Sequence, residues 1–302
     1  MGLIMRRQVV LFLVIIVLGV TSIQAQWNNY NNGWESKWKK YRFFKWNSND
    51  HPFLELNYGL GKPLNKDITG KFSDIGLIET KLGYTSSDLI HHDMIVDFSD
   101  KFFFLSKLSD DLKSEDKNGL EIKTSLIRFG FGERNGYGYS AEGISILPYN
   151  QNTFVWSQLD YTSPSYVTLF YLAPDTMDKK ILDRYDGAFR FGTASEGGVR
   201  IEIANTVSLD AGFEASVIFP RHLFWKQLIS FAIESGGQGA VDFFVDEVMD
   251  NSPAAGPIVN FVLKNALSYG FYLLKKDSMN WPFETEKPLT YETFKMGVSF
   301  TF

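Results

Sequence analysis

The stretch that most constrains this chain is its last dozen residues, Tyr291 to Phe302, which read Y-E-T-F-K-M-G-V-S-F-T-F. Phe294, Met296, Val298, Phe300 and Phe302 recur at every second position, and Thr293, Lys295, Gly297, Ser299 and Thr301 fill the places between. Side chains alternate across a strand, so this pattern gives one apolar face and one polar face. The apolar face runs unbroken for about ten residues, the length a tilted strand needs to cross a bilayer. Such a face must meet either a protein core or lipid.

The other end of the chain points the same way. Met1 to Ala25 has the parts of a secretory signal: Arg6 and Arg7, an uncharged apolar run from Val9 to Val20, and a small-residue cleavage site at Ile23-Gln24-Ala25. The run is shorter than the roughly 20 residues that span a bilayer as a helix, so cleavage before Gln26 is expected. Together with the alternating segment that closes on an aromatic, this resembles the bacterial outer-membrane β-barrel proteins in general, with no particular family singled out. The resemblance implies outer-membrane localisation in a Gram-negative-type cell. It also implies two partners: membrane lipid, and the barrel-assembly machinery acting through the C-terminal strand.

Composition bounds the alternatives. Losing Arg6 and Arg7 takes the formal net charge from −5 to −7, which argues against nucleic acid as a partner. Aromatics make up 16% of the chain, and tyrosine and tryptophan favour membrane–water interfaces. With no cysteine, disulfides, thiolate metal sites and cysteine lipidation are excluded. Apart from the signal, no stretch reads as a transmembrane helix, so a membrane-spanning form must be a closed sheet, the one strand arrangement with no unpaired edge in hydrocarbon.

Residues 26–50 hold four of the seven tryptophans, Trp27, Trp34, Trp38 and Trp46, among basic residues. They read as an interfacial helix or as a tail across the barrel mouth. Residues 51–219 read as the barrel strands. Leu54 to Leu60, Gly76 to Tyr84, Met94 to Leu108 (with a bulge at Ser99-Asp100 or a break in two) and Leu120 to Gly132 come first. G-E-R-N-G-Y-G-Y reads as a turn. Ser140 to Leu147, Phe154 to Tyr161, Tyr166 to Leu172 and Ala188 to Ala194 follow. The clearest hairpin is Val199 to Phe219 about Asn205-Thr206. The count is eight to twelve strands, with ten favoured, and an even number brings both ends to one side.

From Pro220 the period becomes helical. Residues 220–290 predict a three-helix insert, a cap or plug, before the closing strand at 291–302. Gly236-Gly237 is read as stopping the first helix. Val241, Phe244, Val245 and Val248 form the stripe of the second. The third is expected to start at Ser252-Pro253 or Pro257 and to end at Gly270. The expected fold is all-β dominated: an antiparallel transmembrane barrel of about ten strands with this insert.

The polar faces predict a charged lumen lined by Glu79, Lys81, Arg128, Arg190, Arg200, Glu202, Asp210 and Glu214. In a narrow interior these read as an ion-pair network, and in a wide one as a polar pore or solute site. No metal is expected: His91, His92 and Asp93 are adjacent, and neighbours in a strand point to opposite faces. No phosphate loop, dinucleotide fingerprint or zinc spacing implies a cofactor. His222, in F-P-R-H-L-F-W, is the weak catalytic candidate, the base of an envelope lipid-modifying enzyme, though no serine motif accompanies it. The reading is a passive barrel: a small porin-like channel, a structural protein or a surface-binding one. The alternatives are that enzyme and a soluble periplasmic protein binding a lipid or other hydrophobe. Oligomeric state is not legible.

Overall fold

The computed structural model describes residues 50–90, 94–113, 121–141, 143–162, 176–203 and 206–302. The tryptophan-rich segment before Asp50, the His91–Asp93 triplet and the strand expected at 166–172 lie outside them, as does the signal segment. Eight strands form one closed antiparallel barrel: β1 (His51–Leu64), β2 (Ile75–Ile90), β3 (Ile95–Ser109), β4 (Lys123–Ala141), β5 (Ile144–Thr162), β6 (Phe189–Ile203), β7 (Val207–Ile218) and β8 (Leu289–Thr301). Each strand pairs with its sequence neighbours. β8 closes the ring by pairing with both β7 (Val207↔Phe300) and β1 (Phe53↔Thr301). Full closure removes every sheet edge.

The barrel has eight strands, not ten, and two of the expected breaks are continuities that turn-forming residues concealed. β5 runs straight through Pro148. Its recorded pairing with β4 is interrupted between Asn135↔Asn150 and Tyr139↔Ile146, opposite the proline that lacks a donor, yet the register is unchanged on either side. β6 runs through Gly197 and Gly198, joining two segments that read as separate. G-E-R-N-G-Y-G-Y is not a turn but the second half of β4. Ser99-Asp100 is not a bulge, since Ser99↔Asn135 and Asp100↔Arg134 keep register. The Val199–Phe219 hairpin is present as read, with Ile203↔Val207 as its last pair.

The start of β1 and the end of β8 lie at one end of the barrel, with the short β2–β3, β4–β5 and β6–β7 connections. This is the turn end. The longer connections, including the one carrying the insert, lie at the other, the loop end. Alternation puts Leu56, Tyr58, Leu60, Ile78, Leu82, Phe103, Leu105, Phe294, Met296 and Phe300 on the outside, all exposed. The interior holds buried charge. The chain is thus turned inside out relative to a soluble protein, whose exposed apolar patches rarely exceed a few hundred Å².

Two long helices, not three, make up the insert: α2 (Phe224–Asn251) and α3 (Gly256–Asp277), joined by a 3₁₀ turn at Pro253–Ala255. A short α1 (Thr176–Leu182) precedes β6. Gly236-Gly237 does not stop α2. Leu267 and Phe271 of α3 sit at van der Waals distance from where a Gly237 Cβ would stand, so close helix packing overrides the weak propensity. Gly270 does not end α3 either; it is buried mid-helix.

The insert is neither cap nor plug. It lies along the outside of the barrel wall. Asn265 of α3 donates to the Tyr149 carbonyl oxygen (3.1 Å), and Asn150, pointing outward from β5, donates to Asn265 Oδ1 (2.9 Å) and Ser268 Oγ (3.2 Å). Lys264 donates to outward Asn135, and Tyr272 to outward Glu292. At the turn end, Val241, Val245 and Met249 pack with Ile95 and Tyr137, and the Tyr139 hydroxyl reaches the Ala254 carbonyl (2.6 Å). Thus α2 descends the wall from the loop end and α3 returns.

Candidate functional site

The lumen is where the chemistry concentrates. β1 places Glu55 inward, β3 Asp100, β4 Arg128 and Arg134, β6 Glu196 and Arg200, β7 Asp210 and Glu214, β8 Lys295, and β2 both Glu79 and Lys81; all are buried. Near the turn end, Arg134 grips Glu55 through both guanidinium nitrogens (2.8 and 2.9 Å). It also meets Asp210 (3.2 Å) and Asp100 (3.3 Å). Arg200 binds the same three carboxylates: Asp210 at 2.8 Å, Asp100 at 3.0 Å and Glu55 at 3.1 Å.

Toward the loop end, the Lys295 ammonium meets Glu214 (2.6 Å), Glu196 (2.7 Å) and Glu79 (3.0 Å), and Arg128 meets Glu214 (2.6 Å). Lys81 links the two groups, 2.8 Å from Glu55 and 3.8 Å from Glu196. Inner-wall rings support the cations: Arg134 lies 4.5 Å from the Tyr149 ring centre and Lys81 5.1 Å from that of Phe102. Such pairing offsets the large desolvation cost of charges held away from water.

Above the network the interior becomes apolar. Leu77, Leu108, Leu126, Leu159, Ile218, Leu289 and Tyr291 fill the loop end from the strands, and Phe72, Ile122, Leu182 and Tyr185 close over them. Asp178 of α1 accepts the backbone N–H groups of Thr69 (3.1 Å) and Gly70 (2.8 Å), tying this lid to the β1–β2 loop. Lys113 holds the Asp74 carboxyl below its usual range by hydrogen bonding, and Lys71 does the same for Glu121. Burial pushes the Tyr185 phenol up. A small eight-stranded barrel has room for side chains and little else, and this one is filled.

Of the residues expected in the lumen, Glu79, Lys81, Arg128, Arg200, Asp210 and Glu214 belong to this network. Arg190 faces inward near the loop end, and Glu202 faces inward beyond the network at the turn end, without an ion pair to it. Sequence reading passed over Glu55, Asp100, Arg134, Glu196 and Lys295. Glu55 and Lys295 sat on polar faces already recognised. Arg134 and Asp100 were hidden by the mistaken turn and bulge, and Glu196 by the supposed gap in β6. Phe294, Met296, Val298 and Phe300 face outward on the closing strand, followed by exposed Phe302.

His222 is exposed after β7 and touches the Phe191 ring (6.3 Å between centres), with no serine or carboxylate hydrogen-bonded to it among the described residues. No cluster of three or more candidate metal ligands occurs among the described residues. A cavity of about 210 Å³ lies outside the lumen, between α3 and the wall, lined by Phe213, Ala215, Phe261, Asn265, Ser268 and Tyr269 among others.

Comparison with known proteins gives no family model that matches this chain and no curated protein that matches it. Among solved structures, Neisserial surface protein A (NspA) is similar over 83% of this chain and 97% of its own, at 9% identity and TM-score 0.35. Ail, the attachment invasion locus protein of Yersinia pestis, is similar over 83% of this chain and 98% of its own, at 7% identity and TM-score 0.33.

Proposed function

We propose that this chain is an outer-membrane β-barrel with a structural or surface-binding role, and that it conducts no solute. The observation that carries this is the filled interior: a paired charge network under an apolar plug, inside a closed barrel whose outer wall is apolar. An apolar outer wall suits lipid, because strands whose backbone groups are all paired can cross hydrocarbon at no hydrogen-bonding cost. Short turns at one end and longer connections at the other match the periplasmic and outer sides of such barrels. The turn end with both strand termini then faces the periplasm, and the α1 lid with the long loops faces outward, where a binding surface would be presented.

The closing strand, Tyr291–Phe302, is the segment the assembly machinery would engage. Among the described residues no serine or carboxylate is hydrogen-bonded to His222, so the proposal does not rest on it.

Protein extracted from membranes in detergent is expected to migrate as a compact species unheated and to shift on boiling. In planar bilayers the folded species should be electrically silent. Reproducible conductance steps from folded protein would overturn the sealed-lumen reading, and full solubility without detergent would overturn the membrane reading.

A further inference from the structure

The α2–α3 hairpin directs its charges at the barrel and at its partner helix and turns an uncharged, largely apolar face to its surroundings. From Leu228 to Phe244 every exposed residue of α2 is uncharged, including Leu228, Ile229 and Ile233 at helical spacing. On α3 the exposed positions from Ile258 to Tyr269 are Ile258, Val262, Ala266 and Tyr269, again one stripe. The polar groups turn inward. Glu234 pairs with Lys275, Asp242 with Lys264 (2.6 Å) and Lys276 with Glu292 of the wall (2.7 Å). Exposed charges gather at the two extremities, Arg221 and Lys226 at the loop end and Glu247 and Asp250 at the turn end.

We infer that the outward face of this hairpin is buried in lipid acyl chains, so that the protein crosses the membrane with two helices laid against its barrel. The inference rests on the outer-membrane reading above. α2 and α3 are roughly 42 and 33 Å long, enough to span a hydrocarbon core about 30 Å thick. No helix among the described residues is long and apolar enough to cross a membrane by itself. These two need not, because the wall and the partner helix take up their charges. On the β7 side the apolar belt of the barrel continues onto the hairpin: Phe213 of β7 meets Tyr269 of α3 edge to face, 6.3 Å between ring centres.

The chain has no cysteine, so single nitroxide labels can be placed at will. Ile229→Cys and Val262→Cys report the hairpin face, Phe103→Cys the bare wall, and Lys179→Cys the exposed lid. Each variant is refolded into dimyristoylphosphatidylcholine vesicles, and collision with oxygen is compared with collision with a water-soluble nickel chelate. The expected result is that Ile229 and Val262 match Phe103, high to oxygen and low to nickel, while Lys179 is open to nickel. Nickel access at Ile229 and Val262 with Phe103 still in lipid overturns the hairpin inference and leaves the barrel reading standing. Shielding of both hairpin sites from both reagents means that protein covers this face, and also overturns it. Nickel access at Phe103 sinks the membrane reading itself.

Discussion

Arg134 offers the most demanding test of how the interior is held together. Its side chain is 0% exposed and its guanidinium contacts Glu55, Asp100 and Asp210. Arg134→Met keeps much of the volume and removes the charge. Arg200 still reaches all three carboxylates, and Lys81 reaches Glu55. Even so, three buried acids then share one guanidinium and one ammonium that also serves Glu79 and Glu196. Removing one partner of a buried ion pair typically costs about 3–5 kcal/mol, because the charge left behind stays desolvated. The bidentate grip on Glu55 places this case near 4 kcal/mol, a large share of the ~5–15 kcal/mol that holds a typical domain together. Urea titration of protein folded in phosphatidylcholine vesicles, followed by tryptophan fluorescence and by heat-shifted gel mobility, measures the loss. Glu55→Gln in the same chain removes one of the three under-compensated acids and should restore part of the loss, a coupling of about 0.5–3 kcal/mol. Arg221→Gln, in an exposed pair with Glu286, should scarcely register. A loss below about 1 kcal/mol for Arg134→Met, or a double variant no better than the sum of the singles, would refute an interior held by paired charge.

Three further outcomes are expected. Phe103→Arg puts a cation on the bare wall, where Phe103 is 72% exposed, and should cost about 2–4 kcal/mol in the same urea titration if the site lies near the bilayer midplane. Gly130→Ala brings a Cβ to 2.0 Å from the Phe154 carbonyl oxygen across the β4–β5 ladder, where the backbone cannot yield, and should cost about 1–3 kcal/mol. Asp74 and Glu121 have carboxyls lowered by Lys113 and Lys71. Their tethers therefore contribute fully above the ordinary values of 3.8 and 4.5 and are lost as pH falls through the lower folded values. Amide exchange around Asp74 and Glu121, corrected for intrinsic rate, should be flat above that window and rise as pH falls through it.

The two ends of the barrel sequence were read unequally well, for a physical reason. Where one face is all apolar and the other polar, as in Tyr291–Phe302 and Val199–Phe219, period two is unmistakable, and the pairing of β6, β7 and β8 follows it. Glycine and proline misled wherever they stood inside a strand. Gly132, Gly136 and Gly138 looked like turn residues, yet in β4 they are the positions where a neighbouring strand's backbone or a ring sits too close for a Cβ. Treating them as punctuation cut Arg134 out of β4, and Gly197 and Gly198 did the same to Glu196 in β6. The helices were legible by period, but two glycines in a row outweighed a contact with Leu267 and Phe271 that only the folded hairpin supplies.

The breaks in alternation carry information of their own. A strand facing lipid throughout should keep polar side chains off its outer face, yet Asn150 on β5 and Glu292 on β8 point out of the barrel. Exposed to hydrocarbon, each would lack a partner, and an unpaired polar group costs several kcal/mol there. Each is instead met by a polar group of α3: Asn265 and Ser268 for Asn150, and Tyr272 and Lys276 for Glu292. The same α3 residues, seen as a helix alone, lower its hydropathy and hide it from any search for a spanning segment. The polar stripe on the wall and the polar stripe on the helix are therefore one feature divided between two distant parts of the chain. Each looks like a defect until it is paired with the other.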